Sequence, residues 1–316
     1  MDTIPQDSYM LADTLIAGGH YVEEMITPLL GSLERTVTDL VNIVAPGAMR
    51  KAEMTLLSME NPLTQRLPLM SPTFVLVLTL AYMTMVIAGP RLMAKRERFQ
   101  LRTFSLIHNA ILVLLSAYMC GEVVRQAWLA GYSLFNNPVT GGPEGWPMAK
   151  VLWVFYISKP MEFVDTLIMI LKKNNRQVSF LHVYHHCTIF NIWWLVMLLA
   201  PNGETYFSAM LNSFIHVIMY GYYLGSALGY GRHLTIIKPF ITIGQMTQFC
   251  LNFIQATFGL YYGYYWSTPR FSIYPWPIAV LLIVYMISLL ALFGNFFIQD
   301  KKRRHQILQA EKLKSQ

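Results

Sequence analysis

Apolar positions in this chain run together rather than alternate. Seven mostly apolar stretches of about 18 or more residues lie at roughly 69–89, 104–124, 149–171, 179–199, 205–227, 240–263 and 276–297. As an α-helix each is long enough to cross a hydrocarbon core of about 30 Å, because a helix rises about 1.5 Å per residue. The pattern predicts an all-α integral membrane protein with seven transmembrane helices, and seven crossings put the termini on opposite faces. Residues 1–68 place Glu23, Glu24, Glu34 and Asp39 among apolar residues at helix-like spacing, which predicts one or two amphipathic helices lying on the membrane surface. Asp2, Asp7 and Asp13 stand where a secretory leader would be basic, so no cleaved leader is expected. Tyr132 to Pro147 is rich in Gly, Pro and Asn and reads as an irregular connection on the non-cytosolic side.

Composition strengthens the membrane reading. Of 316 residues 54% are apolar and 13% charged, about half the charge of a soluble chain. Disordered, disulfide-stapled and nucleic-acid-binding classes fall away, since each needs low hydrophobicity, dense cysteine or clustered surface charge. Cys120, Cys187 and Cys250 sit singly in apolar runs and read as packing residues. Sixteen of the 24 lysines and arginines follow the first, third, fifth and seventh stretches, which makes that face, and the C-terminus, cytosolic. The basic rim would also collect an anionic, phosphorylated substrate. Lys312 and Lys314, fifth and third from the end, match a dilysine retrieval signal of endoplasmic reticulum membrane proteins. Three regions result: a non-cytosolic segment 1–68, a seven-helix domain 69–298 and a basic cytosolic tail 299–316.

Ionisable and amide side chains interrupt four of the apolar stretches, where each is costly and so marks function. The third carries Lys159, Glu162, Asp165 and Thr166 along one helical face. The fourth opens with His182, His185 and His186. The fifth supplies Asn212, His216 and Tyr220 at successive i+4 steps, with Tyr223 beside them, and the sixth Thr242, Gln245 and Gln248 at i+3 spacing. Stripes facing lipid would leave every amide and imidazole unsatisfied, so they must converge on a shared interior.

Two chemistries suit such an interior. Clustered imidazoles are common ligands of zinc, copper and iron, and one box plus His216 offers enough nitrogens for zinc in a lipid oxidase. His108, in the second stretch, belongs to no second box. The alternative is acyl transfer, in which a neutral imidazole attacks a thioester and the acyl-imidazole survives where water is scarce. Asp165 would then fix the imidazole tautomer, and Asn212, Gln245, Gln248 and tyrosine hydroxyls would donate to the oxyanion. A seven-helix receptor fits poorly, because the third stretch ends Leu171-Lys172-Lys173 without the acidic-Arg-aromatic triad of that class and the seventh holds no lysine for retinal.

The four signatures, Lys159–Thr166 (K-x-x-E-F-x-D-T), His182–His186 (H-x-x-H-H), Asn212–Tyr223 (N-x-x-x-H-x-x-M-Y-x-Y-Y) and Thr242–Gln248 (T-x-x-Q-x-x-Q), resemble the fatty-acid elongase family over roughly residues 60–300. The resemblance implies seven helices, six of them forming a barrel around a narrow acyl tunnel, and condensation of a long-chain acyl-CoA with malonyl-CoA to 3-oxoacyl-CoA. It implies no cofactor or metal. His185 is then the leading nucleophile and His216 the second reactive imidazole, with His182, His186, Asp165 and Glu162 completing the catalytic group. Lys159, Asn212, Tyr220, Tyr223, Gln245 and Gln248 would meet the substrates, and Lys172, Lys173 and Arg176 the CoA phosphates. Gln177 to His182 and Ala200 to Tyr223 are similar to polyunsaturated-substrate elongases of fungal type, which implies an eighteen-carbon delta-6 substrate. The expected partners are membrane lipid, the reductases and dehydratase of the elongation cycle and a second copy of the chain, with no nucleic acid.

Overall fold

The computed structural model describes residues 10–44, 46–265 and 275–314, all helix, turn or coil with no strand among them. The helices are α1 (Met10–Val44), α2 (Ala48–Met59), α3 (Pro72–Met93), α4 (Arg102–Leu129), α5 (Trp146–Leu171), α6 (Phe180–Leu199), α7 (Thr205–Gly225), the short α8 (Gly231–Leu234), α9 (Lys238–Tyr265) and α10 (Trp276–Lys314). Helices α3 to α7, α9 and α10 coincide with the seven apolar stretches. By length and composition, 72–93, 102–129 and 276–302 are long and apolar enough to cross a membrane. The other four are diluted by the polar stripes they carry.

Local chemistry sets the helix ends. Pro72 opens α3 after Ser71 and Pro147 lies in the first turn of α5, where a missing N–H costs nothing. Ser179 caps α6 by accepting from the His182 N–H at 3.3 Å, which seats the histidine box in that helix's first two turns. At the other end of α6 the chain turns through Gly203 at φ +73°, where a Cβ would come within 2.9 Å of the Pro138 carbonyl oxygen. Asn202 holds the loop before α5 to that turn, accepting from the Thr140 N–H and donating to its carbonyl, both at 2.9 Å.

α5 is the central helix, touching α1, α3, α4, α6 and α7. Contacts pass from α4 to α7, α9, α10, α6, α5 and back to α4, with α3 packed outside against α5 and α6. Leu76, Leu80 and Ile87 of α3 and Ile107, Ile111 and Leu114 of α4 are exposed. So much outward apolar surface is stable only against lipid, and the chain is a multi-pass membrane protein.

The N-terminal region does form two helices. α1 docks through Ala12 and Ile16, a 2.7 Å ion pair between Asp13 and Lys150 of α5, and Glu23, which accepts from the Leu69 N–H at 3.0 Å. Residues 299–314 are helical, because α10 continues unbroken to Lys314. At 39 residues and about 1.5 Å each it outreaches the bilayer, so its apolar first half and basic second half share one helix. Residues 1–9, with Asp2 and Asp7, and the final Ser315 and Gln316 lie outside the described residues.

Candidate active site

α5 and α7 build one buried network. Lys159 and Glu162 are 1% and 2% exposed. The Lys159 ammonium donates to Glu162 Oε1 at 2.8 Å and to Asn212 Oδ1 of α7 at 3.1 Å, and lies 3.9 Å over the Phe155 ring. Glu162 Oε1 is 3.3 Å from Nδ1 of His216. Two opposite charges are tolerated at such depth only when paired and hydrogen-bonded as these are.

The next turn of α5 departs from expectation. Asp165 orders no imidazole of the His182–His186 box. Its Oδ1 is 2.9 Å from Nε2 of His108 on α4, and its Oδ2 accepts from the Tyr220 hydroxyl at 2.7 Å. The box is reached instead by Thr166, whose Oγ1 is 2.7 Å from Nε2 of His182 and 3.3 Å from the Tyr82 hydroxyl. Successive helical residues point about 100° apart, so Asp165 faces α4 and α7 while Thr166 faces α3 and α6.

Within α6 the His182 and His186 ring centroids are 4.3 Å apart with the planes tilted by 50°, and those of His185 and His186 lie 5.6 Å apart. His186 is buried, and its Nδ1 has no hydrogen-bond partner among the described residues. His185 reaches across to α10, with its Nδ1 3.3 Å from the Tyr285 hydroxyl, which accepts from Thr188 Oγ1 at 3.1 Å. Among the described residues no three His, Cys, Asp or Glu side chains converge in a metal-holding arrangement, because each imidazole is turned toward a different neighbour.

Between α6, α7, α9 and α10 lies a partly open cavity. One end is bordered by His185, Asn212, Gln248 and Tyr285, the other by Glu204, Gln255 and Gly259. His185 alone of the box borders it. His216 does not, since its ring turns toward Glu162 and Tyr220.

The remaining predicted residues divide. Gln248 is buried with an unpartnered Oε1, whereas Gln245 donates to the Met219 sulfur at 3.7 Å and lies off the cavity. Tyr220 is buried and Tyr223 is 38% exposed. Lys172, Lys173 and Arg176 cluster at the α5–α6 turn, where Lys173 at φ +57° donates to the Ala94 carbonyl at 3.3 Å and Arg176 is exposed.

Five contributors were missed in the sequence. His108 had a signal, being ionisable in an apolar stretch. Asn252 and Gln255 extend the Gln248 face at i+4 and i+7, so their alignment was readable. Tyr285 had none, since tyrosines are scattered throughout. Glu204 precedes α7 at the cavity's far end. It accepts from the Asn137 N–H at 2.6 Å and from the Gln255 amide, and burial pushes its carboxyl up to about 7.

Comparison with known proteins gives the family. Residues 67–307 match the family described as ELO: GNS1/SUR4. Fatty acid elongase 6 of Leishmania major is 42% identical over 287 residues, covering 89% of this chain and 74% of the relative. Very long chain fatty acid elongase 5 of Mus musculus is 42% identical over 240 residues, covering 74% of this chain and 75% of the relative. The human protein of the same name is 41% identical over 234 residues, again 74% and 75%. With one family matching through every helix that borders the cavity, the chain belongs to the GNS1/SUR4 family of fatty acid elongases.

Proposed function

We propose that this protein condenses a long-chain acyl-CoA with malonyl-CoA through an acyl group carried on His185. The observation that carries the reading is the position of that one imidazole: it borders the cavity and is held at Nδ1 by Tyr285. A proton on Nδ1 shared with the Tyr285 oxygen leaves the Nε2 lone pair as the nucleophile. Nε2 attacks the thioester carbonyl, the C–S bond breaks, and CoA leaves as the thiol after taking up a proton. Malonyl-CoA then loses carbon dioxide, and its C2 attacks the acyl-imidazole. The C–N bond breaks, freeing His185 and 3-oxoacyl-CoA.

Lys159, Glu162, Asn212 and His216 hold α5 and α7 in register beside the reacting carbon, and Gln248 supplies amide hydrogens for the oxyanion. His182 and His186 pack the nucleophile's helix, with Thr166 fixing His182. Lys172, Lys173 and Arg176 receive CoA phosphates at the cytosolic rim. In this reading the ring of six helices is a transmembrane barrel with α3 outside it. The acyl chain, eighteen carbons with a delta-6 double bond by family likeness, fills the cavity. The protein sits in the endoplasmic reticulum membrane beside the reductases and dehydratase that consume its product, and no cofactor takes part.

The test is purified protein given malonyl-CoA and a delta-6 octadecatrienoyl-CoA. Carbon dioxide and a twenty-carbon 3-oxo product are expected, and without malonyl-CoA an acyl adduct in the intact mass that His185→Ala abolishes. Absence of lengthened product rejects the condensation, and an undiminished adduct in the variant rejects His185 as the carrier.

A further inference from the structure

A third helix reaches the buried network of α5 and α7 through His108. Its Nε2 lies 2.9 Å from Asp165 Oδ1, while the Tyr220 hydroxyl donates to Asp165 Oδ2 at 2.7 Å. The two oxygens of one α5 carboxylate thus hold α4 on one side and α7 on the other. The imidazole and carboxylate side chains are 10% and 12% exposed. Phe104, one turn earlier on α4, stacks on the His108 ring with the planes 6° apart, which fixes the direction in which that ring points. From Tyr220 the contacts run inward. Its ring meets that of His216 edge-on at 5.5 Å, and Nδ1 of His216 is 3.3 Å from the Glu162 Oε1 that also accepts from Lys159. None of His108, Asp165 and Tyr220 borders the cavity.

Electrostatics links these contacts. An ionised carboxylate within a membrane span is stable only when paired and hydrogen-bonded. With His108 opposite one oxygen, Asp165 stays ionised and its other oxygen accepts from Tyr220, which holds that hydroxyl in one orientation. Without His108 the carboxyl takes up a proton or turns toward another donor, and the Tyr220 hydroxyl loses its fixed acceptor. The Tyr220 ring then no longer bounds one side of His216. We infer that His108 is a positioning residue for the condensation: through Asp165 and Tyr220 it fixes the ring of His216 beside the reacting carbon. The inference rests on the proposed condensation and adds a residue outside the four sequence signatures, on a helix that none of them occupies.

The test is steady-state elongation by the full-length protein in lipid–detergent micelles, with kcat and KM separated for the acyl-CoA and for malonyl-CoA. His108→Phe and Tyr220→Phe should each lower kcat roughly tenfold, within the cost of a small misplacement of reacting groups, while both KM values stay within about twofold. The double variant should be no slower than the slower single one, because both changes cut the same path, whereas independent losses would multiply to about a hundredfold. His108→Gln, which keeps an N–H for Asp165, should bring kcat back to within about threefold of the wild type. Where His108→Phe does not fold, His108→Asn, too short to reach Asp165, takes its place in the same comparison. An unchanged kcat in that variant, multiplied losses in the double variant, or a His108→Gln protein as slow as His108→Phe overturns the inference and leaves the condensation intact. A wild type that lengthens no thioester overturns the function on which it rests.

Discussion

Lys159 shows what one side chain contributes at such depth. Its ammonium is stable because Glu162, Asn212 and the Phe155 face surround it, and the cost of burying it appears when a partner goes. Lys159→Met leaves Glu162 ionised and short of its partner, which should destabilise the fold by about 3–5 kcal/mol and abolish elongation. Adding Glu162→Leu removes the orphaned charge, so thermal stability in detergent should return while elongation stays lost. Recovery of neither, or of both, would contradict the assignment. His108 makes a parallel point: a lone histidine in an apolar stretch looks like packing until the Asp165 carboxylate is found 2.9 Å away.

Among the elements, the turn into α7 borders the far end of the cavity. Glu204 ties the loop before α5 to α7 and α9 through Asn137 and Gln255, and its carboxyl is raised from 4.5 to about 7 by burial. The folded protein thus holds a proton there that the unfolded chain releases. Stability from this site is complete below about pH 4.5, declines as pH rises, and is gone above about 7. Melting temperature should accordingly fall between pH 5 and 8. Glu204→Gln should flatten that slope, since Gln255 can reverse its amide to accept from the new side chain. A slope unchanged in the variant would place the titration elsewhere.

For the whole molecule the basic clusters and the seven long helices make a topological claim. In sealed microsomes, a tag after Gln316 should be removed by added protease, while the loop of residues 130–145 stays protected until the membrane is opened with detergent. Protection of the tag would invert the orientation drawn from the lysine and arginine asymmetry.

Much of this was legible in the chain because bilayer burial is written in composition: seven apolar stretches anticipate seven long helices, and side chains too costly for lipid mark the faces that turn inward. The N-terminal helices and the turn-rich loop at 132–147 were readable for the same local reasons. Partners were not readable, because a stripe shows which face is buried but not which helix it meets. Whether Asp165 served the histidine box or His108, and which imidazole of the box bordered the cavity, depended on how α4, α6 and α10 pack together around α5 and α7. Those are contacts between residues 57 and 100 positions apart, fixed by side-chain packing rather than by any local preference.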